Sequence, residues 1–310
     1  MDRGLTDMFF KLMAVFAIGY SAFLSGSVAR DQINVNICSG PELGSYWNAG
    51  ETMARLLAKS RGNNFIVQNI PTEGSYDNVS RSLDMEPDEA ECNIFIAQPD
   101  VMLDVARKEP GLDARIEPLA QLHDEYAVLL VNREGRVNSL ADLESYGIEA
   151  TLVVGDKDYS GAAATWRNLT LEDPDYAPVR VSSKFEDTES ALSALALRQV
   201  DAILMITGGV NPTLQEAADY MSDKLTIGAV NDGDFDGAVD LQGEKLLHSV
   251  NIFNNEVTKK LGGCNWTCVN TYKMQAQMFM VSSAFDKKDK KAIRRAARRA
   301  AEEIRSTLNE

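Results

Sequence analysis

The sequence predicts an α/β protein of two lobes, each a mainly parallel sheet flanked by helices, with a hinge between them. Three observations carry this. Strand-like and helix-like periods alternate along the first two thirds of the chain. The alternation runs through twice, once on each side of the β-prone segment YAVLLVN, residues 126–132. Glycine-bearing turns stand between strand and helix in both halves. Crossovers of this kind place successive strands in parallel and in right-handed order. A chain of 310 residues, 45% hydrophobic and 25% charged, has material for two cores.

In the first half, INVNIC (33–38) alternates apolar and polar residues and reads as a strand. Residues 46–59 carry Met53, Leu56 and Leu57 at helical spacing. FIVQNI (65–70) is a second strand, 76–84 a short helix, CNIFIA (92–97) a third strand and DVMLDVARK (100–108) a helix. In the second half, SLADLESY (139–146) is a helix that Ser139 can cap, and ATLVVGD (150–156) a strand. GAAATWRNL (161–169) is a helix, VRVSS (179–183) a strand, SALSALALRQ (190–199) a helix and VDAILMI (200–206) a strand. TLQEAADYM (213–221) follows Pro212, a residue suited to a first helical turn. NDGDFDGAVDLQG (231–243) reads as an acidic surface loop; it lacks the ligand spacing of an EF-hand. KMQAQMFMVSS (273–283) is the last strand-like run. The final helix, from about Asp286 to Leu308, sets Ile293, Ala297, Ala300, Ile304 and Leu308 on one face and RRAARR on the other. Its alanine-rich face suits docking onto the body better than membrane insertion.

Formal net charge is −15. The last 27 residues hold nine Lys/Arg and five Asp/Glu, so the remaining 283 carry a net of −19. Such a surface repels nucleic acid and anionic headgroups. An anionic ligand would therefore rely on local donors. At the N-terminus, Lys11 precedes an apolar run from Leu12 to Leu24, then Ser27-Val28-Ala29. This pattern predicts a signal peptide, residues 1–29, cleaved after about Ala29, with an uncleaved anchor as the alternative. Export makes the even cysteine count a set of candidate disulfides. Cys264 and Cys268 lie four apart in GGCNWTC, and Cys38 and Cys92 can pair if their strands are neighbours. The other reading of Cys38 and Cys92 is two buried thiols.

Four junctions share one design: SGPELGSYW (39–47), PTEGSYDN (71–78), DYSGAAAT (158–165) and TGGVNPT (207–213). Each follows a strand, contains glycine, offers a hydroxyl or amide and opens a helix. Helix N-termini carry unpaired N–H groups and partial positive charge, so they hold carboxylates without a lysine. At the C-terminal edge of parallel strands such turns gather where ligands bind. Any one of them is equally well an ordinary cap; four in two units point to a shared cleft.

The stretches SGPELGSYWNAGETMARLL, PTEGSYDNVSRSL and AQPD, with LHDEYAVLLVNREGRVNSLADL and LALRQVDAILMITGGVNPTLQEAA, resemble the TAXI family of TRAP-transporter solute-binding receptors. The resemblance covers roughly residues 33–220 and fades after Ile227. It implies a type II periplasmic-binding-protein-like fold and an exported, soluble, monomeric receptor. Its partners would be a small anionic solute, a carboxylate or amino acid such as glutamate or 2-oxoglutarate, and a TRAP membrane permease. No cofactor or metal is implied. The expected division is 30–126 plus 279–310 for lobe I and 127–278 for lobe II. Expected ligand contacts are Gly44, Ser45, Tyr46, Gly74, Ser75, Asn78 and Gln98 from lobe I, with Ser160, Gly161, Thr165, Gly209 and Asn211 from lobe II. DYSGAAAT stands where the family has a Gly-Ser-Gly-Thr-like turn; it keeps Ser160 and Gly161, and Thr165 is the candidate second hydroxyl. Asp100 is either an ammonium acceptor or a helix cap. Glu73, which would repel a carboxylate, is expected to point away or to meet an amine. Arg81, Arg133 and Arg167 are the candidate counter-ions.

Two rivals stand beside this reading. An enzyme would need an activated nucleophile, yet the chain has no G-x-S-x-G or H-E-x-x-H, and its two histidines, His123 and His248, are far apart in sequence. His123 is expected at the surface or the hinge. A sensor receptor docking on a histidine kinase would share every feature above.

Overall fold

The computed structural model describes residues 32–308, except 43, 61–63, 84–89, 157–159, 183, 186–187 and 210. The expected signal segment, 1–29, lies outside the described residues. The protein is a mixed α/β fold around one ten-stranded sheet, flanked by helices and built as two halves.

The first half runs β1 (Ile33–Gly40), α1 (Ser45–Ala58), β2 (Phe65–Pro71), α2 (Ser75–Leu83), β3 (Ile94–Ala97) and α3 (Pro99–Lys108). A one-turn helix α4 (Leu112–Arg115) leads into β4 (Ile116–Asn132). The second half runs α5 (Leu140–Tyr146), β5 (Thr151–Val153), α6 (Gly161–Glu172), β6 (Arg180–Ser182), α7 (Thr188–Ala196), β7 (Ala202–Thr207) and α8 (Pro212–Tyr220). Then come β8 (Leu225–Gly228), β9 (His248–Asn251), α9 (Glu256–Lys260), β10 (Asn270–Val281) and α10 (Lys287–Leu308).

The halves repeat one topology. In the first, β1 pairs in parallel with β2 and β3, and β10 runs antiparallel between β3 and the start of β4. In the second, β5 pairs in parallel with β6 and β7, and the end of β4 runs antiparallel between β7 and β8. Each half thus shows the order second–first–third–return–edge. β4 and β10 serve both, and their mutual pairing makes the sheet continuous.

Local chemistry explains the elements. β3 is apolar at every position and fully buried, as a central parallel strand must be. α1 turns Ala49, Met53 and Leu57 inward. α10 lays Ile293, Ala297, Ala300 and Ile304 against the first half's core, packing on β4 and α1. Its Lys290 and Arg294 both reach Glu117 on β4, so the helix is docked by charge as well as by its small-residue face. Two buried clusters lie on opposite faces of each half's sheet.

Three features depart from the sequence reading. β4 begins ten residues before the expected 126–132, because IEPLAQLHD, despite Pro118 and its acids, finds a partner in β10. β8 and β9 form where no strand was expected. The 231–243 loop is anchored rather than surface-borne: Phe235 is fully buried against Tyr176 and Tyr272. Both cysteine pairs are disulfides. Cys38 on β1 joins Cys92 just ahead of β3, across paired neighbours, and Cys264 joins Cys268.

The two bridges should differ in accessibility and in effect. Cys38 and Cys92 are both fully buried, whereas Cys268 is half-exposed. Mild reductant without denaturant is expected to open Cys264–Cys268 first, read by alkylation and mass spectrometry. Reducing Cys38–Cys92, which spans 54 residues, should lower stability by about 4 kcal/mol on loop entropy, against about 2 kcal/mol for the four-residue spacing.

Candidate functional site

Five helices, α1, α2, α3, α6 and α8, each open from the C-terminal end of a parallel strand, and their first turns are set by the intervening residues. Gly74 holds φ at +122°, a conformation that side chains disfavour, and this turns the chain from β2 into α2. Ser75 Oγ accepts the Gln98 backbone N–H at 3.1 Å and so ties the end of β3 to the start of α2. Ser160 caps α6 by accepting from the Ala163 N–H at 3.0 Å, and Asn211 caps α8 by accepting from Leu214 at 3.1 Å. α1 has Gly44 as its N-cap, with no side chain engaging the first-turn N–H groups.

These N-termini enclose a cleft of about 440 Å³ between the halves. Gly44, Ser45, Tyr46, Gly74, Ser75 and Gln98 line it from the first half, with Ser160, Gly161 and Asn211 facing them from the second. Val153, Ile203, Met205 and Phe185 add an apolar wall from the second half. Gly161 lies directly against Gln98: a Cβ there would stand 2.0 Å from Gln98 Oε1.

Three expected contacts are placed elsewhere. Asn78 is fully buried behind the turn, where its amide donates to the Ile96 carbonyl at 2.6 Å and its oxygen accepts from Thr72. Asn78 shares Ser75's helix face but lies one turn farther in, past the rim and inside the core. Thr165 is buried one turn into α6 and donates to Asp100 across the two halves. Gly209 accepts from the Asn255 amide at 3.0 Å and does not line the cleft. None of the three candidate arginines lines it either. Arg81 pairs with Asp77 and Glu91, and Arg133 donates to the Ser222 carbonyl. Arg167 pairs with Asp104 at 2.9 Å and also donates to the Tyr76 hydroxyl.

Acids stand there instead. Glu73, expected to point away or to meet an amine, lines the cleft from an exposed rim position. Glu125, which the sequence reading passed over, lies on the floor, 5% exposed, and accepts from the Tyr46 hydroxyl at 2.9 Å. Burial pushes Glu125 up to about 8, and the charge of Asp100 pushes the same way. Burial likewise raises Asp100 to about 6 and lifts Tyr46 well above the usual phenol range. His123, expected at the surface or the hinge, is buried on β4, the strand shared by the two halves, and packs edge-on against the Tyr46 ring at 5.7 Å. Its Nε2 is 3.8 Å from Glu125 Oε1, and burial pulls its pKa down to about 4. Both His123 nitrogens and Gln98 Oε1 are buried without a hydrogen-bond partner. One signal for Glu125 was present: it alternates with Asp124, which faces Lys273 and Gln275 on the other side of β4.

Beside the cleft α3 packs on α6 through a polar seam. Asn168 donates to the Asp100 carbonyl and accepts from Arg107, and Asp104 gathers Arg167, Lys108 and Tyr76. Those donors hold Asp104 down at about 2 against the opposing effect of its burial. Among the described residues no helix is long and apolar enough to cross a membrane. Outside the cleft, Glu144, Asp173 and Asp232 cluster, with Asp173 and Asp232 engaged as caps of their own turns.

No family model and no curated protein matches the chain. Solved structures that resemble it include a TctC solute-binding protein from Polaromonas, 15% identical over 92% of this chain and 86% of that one, with a TM-score of 0.46. MatC from Rhodopseudomonas palustris, with bound malate, is 14% identical over 89% of this chain and 85% of that one, with a TM-score of 0.47. A TRAP periplasmic solute-binding protein from Ochrobactrum anthropi, its C-terminus bound in the ligand pocket, is 12% identical over 90% of this chain and 77% of that one, with a TM-score of 0.48.

The buried carboxyl gives a stability signature with a definite sign. The folded pKa of Glu125, about 8, lies above the ordinary 4.5, so its contribution is complete below pH 4.5 and is lost as pH rises through 8. Across pH 6.5 to 8.5 folded His123 is already neutral, and the tails of Asp100, near 6, and of His123 in the unfolded chain, near 6.5, each move stability by less than about 0.5 kcal/mol. Unfolding free energy should fall by about 2 kcal/mol across that window, and Glu125→Gln should flatten the slope, as followed by denaturant titration. Asn78→Ala, which strands the Ile96 carbonyl and the Thr72 hydroxyl, should cost about 2–4 kcal/mol in the same assay.

Proposed function

We propose that the protein is an extracytoplasmic solute receptor of the TAXI type, which binds a small carboxylate between its halves and delivers it to a TRAP membrane permease. One observation carries the reading: helix N-termini from both halves, dressed with Ser45, Ser75, Ser160 and Asn211, converge on a single cleft. N–H groups there bind an anion by dipole and hydrogen bond in a chain whose net charge of −15 otherwise repels it. A micromolar ligand needs about −8 kcal/mol. Four to six charge-assisted hydrogen bonds of roughly 1.5–3 kcal/mol each, offset by the cost of association, reach that figure.

In this reading the N-terminal 29 residues are a signal peptide and the mature chain works in the periplasm as a monomer. Lobe I comprises 30–126 plus 279–310, and lobe II comprises 127–278. Binding, rather than catalysis, fits the cleft: among the described residues its lining holds no histidine, cysteine or lysine, and His123 sits behind Tyr46. Closure is a population shift, because a ligand touches both sets of N-termini only when the halves meet.

The ligand-stripped mature protein should show a thermal shift with at least one small carboxylate. Ser45→Ala should weaken that ligand about tenfold without lowering the melting point of the free protein. Gly161→Ala should weaken it further, since the added methyl meets Gln98 where the halves touch. Unchanged affinity in both variants, by calorimetry, would remove the cleft from consideration.

A further inference from the structure

The cleft holds two kinds of polar group, and they call for opposite charges. The helix N-termini described above present donors. The floor and rim of the first half present acceptors: the Glu125 carboxyl, the Glu73 carboxylate and Gln98 Oε1. Gln98 is 5% exposed, and its Oε1 is buried with no donor. A buried amide oxygen without a partner has lost its hydrogen bond to water, and a ligand donor would restore one. A dicarboxylate supplies no such donor, and its second charge would face Glu125 and Glu73. An ammonium group supplies three N–H donors and a positive charge.

We propose, resting on the receptor reading above, that the ligand is a zwitterionic α-amino acid with an apolar side chain. Its ammonium lies against Glu125 and Gln98, and its carboxylate takes the helix N-termini. Its side chain meets the wall formed by Val153, Ile203, Met205 and Phe185. A volume of about 440 Å³ is in the range of small-molecule sites. The floor acid has a defined setting. Tyr46 from α1 donates to it, Asp100 from α3 adds like charge, Gln98 lies beside it, and His123 on its own strand is neutral. A cation docked there favours the ionised carboxyl, so binding near pH 7 expels a proton from Glu125.

The test is calorimetry on ligand-stripped mature protein with L-valine, L-leucine, L-methionine and L-phenylalanine. Each is paired with its deaminated acid, and L-glutamate and 2-oxoglutarate are run alongside. At least one of the four amino acids should bind tenfold or more tighter than its deaminated partner and than both dicarboxylates. At pH 7, titrations in buffers of different ionisation enthalpy should show proton release for that amino acid and none for the deaminated acid. Glu125→Gln should erase most of the tenfold preference and the proton release. Glu73→Gln, a substitution at an exposed rim position, should reduce the preference without touching the fold. If a deaminated acid or 2-oxoglutarate binds as tightly as every amino acid, the inference fails while the small-carboxylate reading stands. Tightest binding of L-glutamate overturns the apolar side chain. If none of these carboxylates binds, both the inference and the receptor reading fail.

Discussion

The structure depends on the antiparallel pairing of β4 with β10. Each is long enough to belong to both halves, and neither half has a complete sheet without them. Residues 116–125 of β4 close the first half's sheet, and 126–132 enter the second. β10 reciprocates, with 277–280 against β3 and 270–273 against β9. A pair of extended strands bends and twists as a unit more readily than it stretches. The ribbon joins the halves at the base of the cleft, and the α3–α6 seam ties them together beside it.

That constraint gives the buried acid its character. Glu125 sits on β4 where the strand passes from one half to the other, under the lid formed by Tyr46. The side chain is almost fully buried on the cleft floor, so burial, with the nearby charge of Asp100, holds the carboxyl near neutrality. The seam between α3 and α6 works the opposite way. There Asp104 is surrounded by donors and stays ionised despite being largely buried. The two acids thus carry different charge because Asp104 meets the cations Arg167 and Lys108, whereas Glu125 accepts from the neutral Tyr46 hydroxyl and feels the like charge of Asp100.

Much of this was legible in the sequence, and the reason is local chemistry. Ser45, Ser75, Ser160 and Asn211 stand in turns whose glycines, hydroxyls and amides reveal the start of a helix. The core strands announced themselves by apolar runs, as β3 did. What escaped reading was decided at a distance. Pro118, His123 and Asp124 do not look like strand residues, and only β10 makes them so. Phe235 lies in an acidic loop, and its burial depends on Tyr176 and Tyr272 arriving from elsewhere. Asn78 and Thr165 carry suitable chemistry, but each lies one turn into its helix, past the rim and inside the core. Glu125 was passed over; its role follows from which face of β4 is covered.

The exchange of return strands also bears on how the chain matures. The edge of β3 stays open until residues 270–281, near the far end of the polypeptide, arrive to cover it. Synthesis or translocation that delivers the amino-terminal segment first therefore leaves a sticky hydrophobic ribbon unshielded for most of its passage. Such a polypeptide gains from an escort that keeps it extended until the last portion emerges, and a truncated copy would be prone to stick to its siblings.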